Sequence, residues 1–346
     1  MPKIGLQEMW KPTIATSGVQ NLANVLVTGG AGYLGGAVTD LLVHAGHSVR
    51  VYDNLLYNDE YLKPVDFQLG DIRDEQRLAQ HLHWADTVVW LAAIVGDKAS
   101  TLNPELTTSV NEKSVELLAN RFNGRIIFTS TCSVYGAQES LIDETAPLRP
   151  LSLYAATKAS AEQKLVGKNA VIFRLGTLYG LSDTYSRVRL DLVVNTLTAR
   201  AFIGRRITVY GGNQHRPLLH VKDAARAIVD SVEHQHVGIF NLHEVNMRII
   251  DLAQQIQKWF PDLQITRTDL RFQDDRTYQV SSEKARKAFD FTPRLHVDDG
   301  IAELKEVLEK GRLRNIGAAR YSNSDQLAAL LPSQPYVLDG EIPARA

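Results

Sequence analysis

The stretch VLVTGGAGYLGGAV, residues 25–38, decides the fold prediction for this chain. Its apolar start is typical of a buried strand, and its end has the apolar period of a helix. Between them, Gly29, Gly32 and Gly35 form a G-x-x-G-x-x-G pattern. Glycines there permit a tight turn and let backbone amides approach a pyrophosphate at the positive end of the helix dipole. The stretch therefore predicts a dinucleotide-binding turn, with a purely structural turn as the alternative.

The same organisation extends over the first half of the chain. From about residue 24 to residue 175, helical patterns alternate with short β-branched runs: NVLVT, HSVRVYD, DFQL, TVVWLAA, RIIFTS and AVIFRL. Such alternation predicts a parallel sheet covered by helices on both faces, with ligands outside the carboxyl ends of the strands. The predicted fold class is α/β, with a Rossmann-type doubly wound parallel sheet over residues 23–176.

The regular alternation of strand and helix patterns ends after Gly176. There the pattern predicts short strands and helices, at residues 189–201 (helix), 207–210 and 238–241 (strands), 249–260 and 297–310 (helices). We interpret residues 177–311 as a smaller C-terminal α/β substrate lobe, from which a strand or helix can return to the first domain. Residues 1–22 and 312–346 are predicted to be an N-terminal arm and a C-terminal tail, either packed or disordered.

Composition and charge narrow the function classes. Hydrophobic residues make up 44% of the 346 residues, which is enough for one large core or two smaller ones. Lys and Arg total 38 against 39 Asp and Glu, so no net field attracts nucleic acid or an anionic membrane. One cysteine allows no intramolecular disulfide, and we find neither a secretory signal nor an apolar run of roughly 18 residues. We expect a cytoplasmic protein with a small-molecule partner, not nucleic acid or membrane.

Asp53 ends the second strand candidate, 18 residues after Gly35. At about this spacing an acidic side chain accepts hydrogen bonds from the adenosine ribose hydroxyls. Because a carboxylate there repels a 2′-phosphate, the predicted cofactor is NAD rather than NADP. The alternative role of Asp53, and of Asp71, is to form a turn. The predicted cofactor-binding residues are Gly29, Gly32, Tyr33, Leu34, Gly35, Asp53, Asn54, Asp71, Ile72, Leu91, Ala92, Ala93 and Lys158.

Tyr154 and Lys158 lie four residues apart in YAATK, on one face of a predicted helix. A tyrosine acts as a base near neutral pH only if its pKa falls by about three units from its ordinary value. The Lys158 ammonium and a positively charged nicotinamide can together supply that shift, and Lys158 can also bind nicotinamide ribose. The 12 tyrosines and roughly 5% lysine give about 0.6 chance matches, so the position after the fifth strand carries the prediction. The alternative is a surface Tyr and Lys on an amphipathic helix.

These motifs resemble those of a known family. TGGAGYLG, Asp53, GDIRD, LAA, STCSVYG, YAATK, FRLGTLYG and RPLLHVKD have the order and spacing of the extended short-chain dehydrogenases that act on nucleotide sugars. The match covers about residues 24–310 and is similar to the NAD-dependent epimerase/dehydratase group in particular. The resemblance implies that Tyr154 removes the proton from a sugar hydroxyl, usually at C4, as hydride passes to NAD and a ketosugar forms.

The resemblance also implies a hydroxyl partner for Tyr154. The family's Ser or Thr lies four residues before the Tyr of the VYG segment, which is Thr131 here, with Ser130 as the adjacent alternative. It hydrogen-bonds the same sugar hydroxyl. For either residue, the structural alternative is a hydroxyl that satisfies the backbone at a strand end. The predicted catalytic residues are Thr131, Tyr154 and Lys158, with Cys132 and Ser130 as further candidates.

The two residues after Thr131 differ from the residues that some members of the family have at these positions. In its 4,6-dehydratases they are Asp and Glu, an acid and a base that eliminate water; here they are Cys132 and Ser133. Serine cannot serve as a carboxylate base near neutral pH, and an ordinary thiol, with a pKa of about 8.5, is a weak acid for expelling hydroxide. Members that epimerise C3 and C5 carry a cysteine at the position of Ser133. Cys132 is interpreted as a compact side chain near the sugar pocket, with proton donation as the alternative.

Arginines beyond residue 176 are the candidates for the substrate side. In the resembling enzymes, the Arg before the HV-x-D segment binds the substrate diphosphate; it is Arg216 here, and a guanidinium matches phosphate oxygens bidentately. Arg276 is a second candidate for the diphosphate. Arg189 and Asn195 are candidates for the sugar or the diphosphate, with surface contacts as the alternative. His220 has no His, Cys or carboxylate nearby in the sequence at metal-ligand spacing, so no metal is predicted.

The leading functional hypothesis is an NAD-dependent nucleotide-sugar epimerase, most often at C4, whose cofactor is reduced and reoxidised within one turnover. The alternatives are a nucleotide-sugar dehydrogenase or 4-ketosugar reductase, then a dehydratase, and last an NAD-binding protein without catalysis. By analogy with the family, the expected partners are a nucleotide-diphosphate sugar and a second copy of the chain. The predicted homodimer pairs helices around residues 104–121 and 152–168.

Overall fold

A computed structural model describes residues 22–58, 60–268 and 277–331 of the protein. Its strands are β1 (Asn24–Thr28), β2 (Ser48–Asp53), β3 (Asp66–Leu69), β4 (Thr87–Trp90), β5 (Arg125–Thr131), β6 (Leu141–Ile142), β7 (Ala170–Leu175), β8 (Thr177–Tyr179), β9 (Arg206–Tyr210), β10 (His215–His220), β11 (Gly238–Leu242), β12 (Val245–Arg248), β13 (Gln264–Thr268) and β14 (Gln279–Val280). Its α-helices are α1 (Tyr33–His44), α2 (Glu75–Trp84), α3 (Asp97–Leu102), α4 (Pro104–Thr108), α5 (Ser114–Arg121), α6 (Leu153–Lys164), α7 (Val193–Gly204), α8 (Val221–Glu233), α9 (Ile249–Trp259), α10 (Glu283–Phe289), α11 (Val297–Glu309) and α12 (Asn323–Leu330).

Seven parallel strands form the central sheet, in the order β11-β7-β5-β4-β1-β2-β3. The chain begins in the middle at β1, runs outward through β2 and β3, and then returns to β4 on the other side of β1. In such sheets, ligands bind in the crevice outside the carboxyl ends of the strands where the order reverses. The predicted Rossmann-type α/β fold is confirmed, and the reversal lies between β1 and β4.

Helices cover both faces of this sheet, because its central strands are apolar on both sides. On one face, α1 and α8 bury Val38, Leu42 and Ile228 in a single cluster. On the other face, α2, α5 and α6 contribute Leu78, Leu118 and Ala161 to a second cluster. Full burial of one Leu or Ile side chain stabilises a fold by about 1.5–3 kcal/mol, so these two layers hold the sheet rigid beneath its crevice.

A third apolar cluster forms the second lobe. It joins α7, α9 and α11 to β9 and β10, and Leu252 and Ile301 are fully buried within it. β10 pairs with β8 and β12 in a small mixed sheet, and β9 pairs with β13. The chain returns from this region to the central sheet through α8 and β11, which lies next to β7.

One segment differs from its sequence prediction, and one open alternative is decided. The helix predicted from residue 189 begins at Val193, since Leu192 has an extended backbone (φ −89°, ψ 139°); before it, the Leu190 N–H donates to the Tyr321 carbonyl, 2.9 Å away. The segment predicted as a C-terminal tail is folded as far as residue 331. Tyr321 and Leu327 are buried, and Leu327 packs in a cluster with Ile94. Pairing across such a long sequence separation leaves no local signal.

Within the described residues, no helix is both long and apolar enough to cross a membrane. Of the helices expected to form the dimer interface, α4 and α5 each contact α6, and a π-helical turn at Ser109–Lys113 lies between α4 and α5. The homodimer stays a prediction.

A buried ion pair ties α6 to the sheet. Glu162, on α6, accepts from Nε and Nη2 of Arg174, on β7, at 3.1 and 2.6 Å, and both side chains are at most 3% exposed. Ser130 Oγ donates to the same carboxylate, and Arg174 Nη1 donates to the Tyr135 hydroxyl at 2.8 Å. These hydrogen bonds satisfy both charges, which makes burial of the pair tolerable.

We expect Glu162→Ala to lower the free energy of unfolding by about 3–5 kcal/mol, because the Arg174 charge would stay buried without its partner. Glu116→Ala is the control, since it breaks the exposed pair between Glu116 on α5 and Lys164 on α6 and should cost less than about 1 kcal/mol. Urea titrations of both variants measure the difference. Equal losses would mean that the buried pair does not anchor α6.

Candidate active site

The glycine turn after β1 is built by close backbone approaches. Gly29 has a φ of +75°, and a Cβ there would lie 2.6 Å from the Ala92 nitrogen, at the end of β4. A Cβ on Gly35 would lie 2.3 Å from the Gly29 carbonyl oxygen. Glycine is therefore required at both positions. α1 begins directly after Gly32, so its N-terminal amides face the crevice between β1 and β4, where an anion is favoured.

Asp53 lies at the carboxyl end of β2, beside this turn. Its Oδ2 accepts from the Ala31 N–H at 3.0 Å, and its Oδ1 accepts from the Leu55 N–H at 2.8 Å. Burial raises the pKa of Asp53, and these backbone hydrogen bonds oppose the rise. A carboxylate oxygen accepts more than one hydrogen bond, so the fixed side chain can also receive ribose hydroxyls. The turn-forming role and the ribose role are therefore compatible.

Asp71 is held at the end of β3 by its neighbours. Its carboxylate accepts hydrogen bonds from Nε and Nη2 of Arg73, at 3.0 and 2.8 Å. It also accepts one from the side-chain amide of Asn54, at 3.2 Å. Its Oδ1 also accepts from the Arg73 N–H. Asp71 thus has the turn role that the sequence analysis left open, and it still faces the crevice.

One cavity of about 510 Å³ runs along the carboxyl ends of the sheet and into the second lobe. This volume is typical of small-molecule and cofactor sites. Every predicted cofactor residue lines it, namely Gly29, Gly32, Tyr33, Leu34, Gly35, Asp53, Asn54, Asp71, Ile72, Leu91, Ala92, Ala93 and Lys158. The candidates Ser130, Thr131, Tyr154, Arg189 and Arg216 line the same cavity. An extended dinucleotide and a second ligand can therefore share this space.

Ser152 determines where the Tyr154 side chain lies. Its Oγ accepts from the Ala155 N–H at 3.2 Å and caps α6, so Tyr154 falls in the first turn and Lys158 one turn later. Burial raises the pKa of Tyr154; the positive charge of Arg189 and the nearby Thr131 side chain oppose the rise. Thr131, at the end of β5, is thus close to the tyrosine hydroxyl, as the family pattern requires.

Lys158 is 2% exposed, and its Nζ lies 4.4 Å from the centroid of the Phe128 ring. Burial lowers the pKa of Lys158 to about 7, partly offset by the negative charge of Glu162. Without a ligand, Lys158 is therefore only partly protonated at neutral pH. The motif predicted that Lys158 and nicotinamide would lower the pKa of Tyr154; in the structure the positive charge of Arg189 also acts in that direction.

Cys132 is fully buried behind the cavity wall. Its thiol donates to the Arg174 carbonyl oxygen at 3.2 Å, and burial raises the pKa of the thiol. It is not among the residues that line the cavity within the described chain. Ser130 lines the cavity, but its hydroxyl is bound to Glu162. The proton-donor alternative for Cys132 thus has no geometric support, and the side chain that does line the cavity here is Ser133.

The substrate candidates separate into two groups. Arg189 and Arg216 line the cavity, and both are less than 10% exposed. Asn195 lies away from it, because its side chain binds the backbone N–H and C=O of Gly180 and the carbonyl of Arg189. This contact fixes the loop that carries Arg189, so Asn195 has a structural position rather than the expected one in the site. Arg276 lies outside the described residues.

Several residues that build or line the cavity were not found from the sequence. Asn111, in the π-helical turn, holds both the N–H and the C=O of Ile94 and donates to Thr157 Oγ1, so it joins the loop after β4 to α6. Asn111 supports the cavity from behind, whereas Arg187 and Asn323 line it. No motif marks any of the three. In the described part of the chain, no group of three His, Cys, Asp or Glu side chains could hold a metal ion.

We expect Asp53→Ala to weaken NAD binding at least tenfold, because it removes the ionised acceptor for the ribose hydroxyls. NADP affinity should fall less or rise, since the repulsion of a 2′-phosphate is also lost. Isothermal titration of the unliganded protein measures both, with Asp66→Ala at the exposed start of β3 as the control. Equal losses for NAD and NADP would show that Asp53 only shapes the turn.

Lys158→Met should make the unliganded protein more stable than the wild type at pH 7. The folded-state pKa of Lys158 is about 7 against an ordinary value of 10.5, so burial of the charge is costly at neutral pH. Between these values the unfolded chain binds the extra proton, and wild-type stability rises with pH by about 1.4 kcal/mol per unit. The advantage of the variant should shrink accordingly towards pH 10, measured by urea titration. Lys164→Met, on the exposed face of α6, should show a difference that does not change with pH.

Comparisons with known proteins identify the family of this chain. The sequence profile described as the NAD dependent epimerase/dehydratase family matches residues 25–242. A UDP-glucose 4-epimerase of Corynebacterium glutamicum is 26% identical, over 79% of this chain and 92% of that protein. A dTDP-glucose 4,6-dehydratase of Streptomyces niveus is 28% identical, over 82% of this chain and 91% of that protein.

Solved structures share the fold. A UDP-glucose 4-epimerase of Thermotoga maritima, in complex with UDP-glucose, has a TM-score of 0.74 at 24% identity and covers 84% of this chain and 100% of its own. A dTDP-glucose 4,6-dehydratase of Streptomyces venezuelae, with NAD bound, has a TM-score of 0.71 at 24% identity, over 85% and 98% of the two chains. The resemblance and the NAD cofactor predicted from the motifs are confirmed. The chain belongs to the NAD-dependent epimerase/dehydratase family and is an enzyme of the extended short-chain dehydrogenase type.

Proposed function

We propose that this enzyme is a nucleotide-sugar epimerase that inverts C4 through a transient ketosugar. The observation that carries the proposal is the composition of the cavity. It joins the dinucleotide turn and Asp53 to Thr131, Tyr154 and Lys158, while the two dehydratase carboxylates are replaced by a buried Cys132 and by Ser133. These groups suit removal of a proton and a hydride, but not elimination of water.

The residues of the cavity suit NAD along its whole length. The N-terminus of α1 and the backbone of Gly32 favour the pyrophosphate, Asp53 accepts the adenosine ribose hydroxyls, and Lys158 faces the nicotinamide ribose. The missing Cβ atoms at Gly29 and Gly35 leave room for the cofactor along the turn. NAD, when bound, supplies the hydride acceptor and carries a positive nicotinamide charge that favours an ionised Tyr154.

Tyr154 is the proposed base for the C4 hydroxyl. Its phenol oxygen takes the proton while Thr131 Oγ1 hydrogen-bonds the same hydroxyl and holds it in place. Positive charge around Tyr154 is needed to lower its pKa, and Arg189 and the protonated form of Lys158 supply it. Tyr154 returns the proton to the C4 oxygen once the ketosugar has been reduced from its other face. Net redox change is then zero.

The substrate diphosphate is assigned to the second lobe. Arg216 lies on β10, lines the cavity and is 7% exposed, with its guanidinium carbon 5.9 Å from the Tyr278 ring centroid. Ser133 Oγ lies 3.3 Å from the hydroxyl of the same tyrosine. A cation suited to phosphate and hydroxyls suited to a sugar thus lie beside Tyr278, which supports the assignment. The relatives named as UDP-glucose 4-epimerases support this substrate class.

Tyr154→Phe should lower turnover by about 10²–10⁴-fold, because the ring remains but the proton acceptor is lost. The purified protein is incubated with UDP-, dTDP- and GDP-sugars, while NADH absorbance and sugar products are followed. We expect a C4-isomerised sugar to form without added NAD, and the variant to bind NAD with unchanged affinity.

Ser133→Ala is the matched control, since it removes a cavity hydroxyl that is not part of the proton transfer. It should change the substrate KM more than kcat. NADH formed in proportion to product would contradict epimerisation and indicate a dehydrogenase. A 4-keto-6-deoxy sugar as product would indicate a dehydratase, and full turnover of Tyr154→Phe would exclude Tyr154 as the base.

A further inference from the structure

The cavity wall opposite the glycine turn carries more positive than negative charge. Arg189 donates from Nε and Nη2 to the two carboxylate oxygens of Asp191, each at 2.9 Å. Arg187 makes no ion pair with any described residue, although burial and the nearby charge of Arg189 lower its pKa to about 10. Two guanidinium groups, Arg189 buried and Arg187 half-buried, therefore share one carboxylate. A cation that is shielded from water and has no counter-charge is costly unless a ligand supplies the anion.

This wall lies directly across from the N-terminus of α1. Ser186 Oγ donates to the Gly32 carbonyl oxygen at 3.2 Å, so the segment that carries both arginines touches the glycine turn. The Arg187 guanidinium lies 4.6 Å from the ring centroid of Tyr57, in the loop after Asp53. The hydroxyl of Tyr57 lines the cavity and is buried without a hydrogen-bond partner among the described residues.

Arg189 lies between the two ends of the cofactor site. Burial raises the pKa of Tyr33, of Tyr57 and of Tyr154, and the charge of Arg189 opposes the rise in all three. Tyr33 is the first residue of α1, Tyr57 follows the ribose acceptor, and Tyr154 belongs to the nicotinamide end. Arg189 and all three tyrosines line the same cavity, so the charge of Arg189 faces the path of a bound dinucleotide.

Asn323, at the start of α12, fixes this wall. Its N–H donates to Asp191 Oδ2 at 2.8 Å, its Nδ2 donates to the Val95 carbonyl at 2.9 Å, and its Oδ1 accepts from Arg187 Nη2. Arg187 Nη1 also donates to the Arg320 carbonyl at 2.8 Å. Asn323 is 4% exposed and lines the cavity. One side chain thus joins the C-terminal segment, the arginine segment and the loop after β4.

We propose that Arg187 and Arg189 form a clamp on the pyrophosphate of NAD, opposite the N-terminus of α1, and that Asn323 is the positioning residue that holds this clamp closed. In the described contacts, each guanidinium uses two of its five N–H donors, so donors are available for phosphate oxygens. The clamp covers the cofactor on the side that faces the second lobe and slows its release. The inference rests on NAD binding by the family and is independent of the carbon that the enzyme alters.

Arg187→Met tests the clamp, because it keeps the length of the side chain and removes the charge. Isothermal titration of the unliganded protein with NAD, ADP and adenosine separates the contributions. We expect NAD and ADP to bind about tenfold to a hundredfold more weakly, and adenosine, which lacks phosphate, to bind as in the wild type. Asp325→Asn, at an exposed position of α12, is the control and should leave all three affinities unchanged.

Asn323→Ala tests the positioning role through a rate. NAD release from the loaded protein, followed after rapid dilution into excess unlabelled NAD, should become about tenfold faster, while Asp325→Asn releases NAD at the wild-type rate. A thermal unfolding curve of each unliganded variant identifies loss of fold. The proposal is wrong if Arg187→Met binds NAD and ADP like the wild type, or weakens adenosine equally. It is also wrong if that variant, loaded with NAD, loses affinity only for UDP and dTDP, since the arginines would then serve the substrate diphosphate.

Discussion

The close approach of the glycine turn to the backbone after β4 is the constraint on which the site depends. With any side chain at Gly29 or Gly35, α1 could not begin so close to the sheet. Because it does, the positive end of its dipole lies at the point where the strand order reverses. β5 lies next to β4, so Thr131, and Tyr154 on the following helix, come to the same cavity without any long loop.

The chemistry of the cavity has a cost in stability. Lys158 is buried over an aromatic ring, and Arg187 is half-buried and makes no ion pair with the described residues. A chain selected only for stability would carry apolar residues at both positions. The Glu162–Arg174 pair behind the cavity shows the contrasting case, in which every charge is matched and the pair anchors α6. Unmatched charge is thus concentrated where an anionic cofactor or substrate is expected to bind.

Much of the fold and of the dinucleotide end could be predicted from local sequence. The strand runs, the glycine spacing and Asp53 are periodic or closely spaced, and the residues predicted from them all line one cavity. The roles of Asn195 and Cys132 were harder to predict, because the polarity of a side chain does not show which way it points. In the structure, the amide of Asn195 holds Gly180 and the thiol of Cys132 faces the Arg174 carbonyl. Spacing carries no information about either partner.

By itself, the sequence determined the parallel sheet, the nucleotide-binding end and the Tyr-Lys pair, because each depends on contacts between residues close along the chain. Only the tertiary structure decided which second-lobe residues face the cofactor. Arg187, Val95 and Asn323 come from three distant segments, and their hydrogen bonds exist only after both lobes have folded. The charge around Tyr154 was also decided by the tertiary structure. The electrostatic effect of Arg189 depends on distance in space and on burial, and neither follows from the positions of the two residues along the chain.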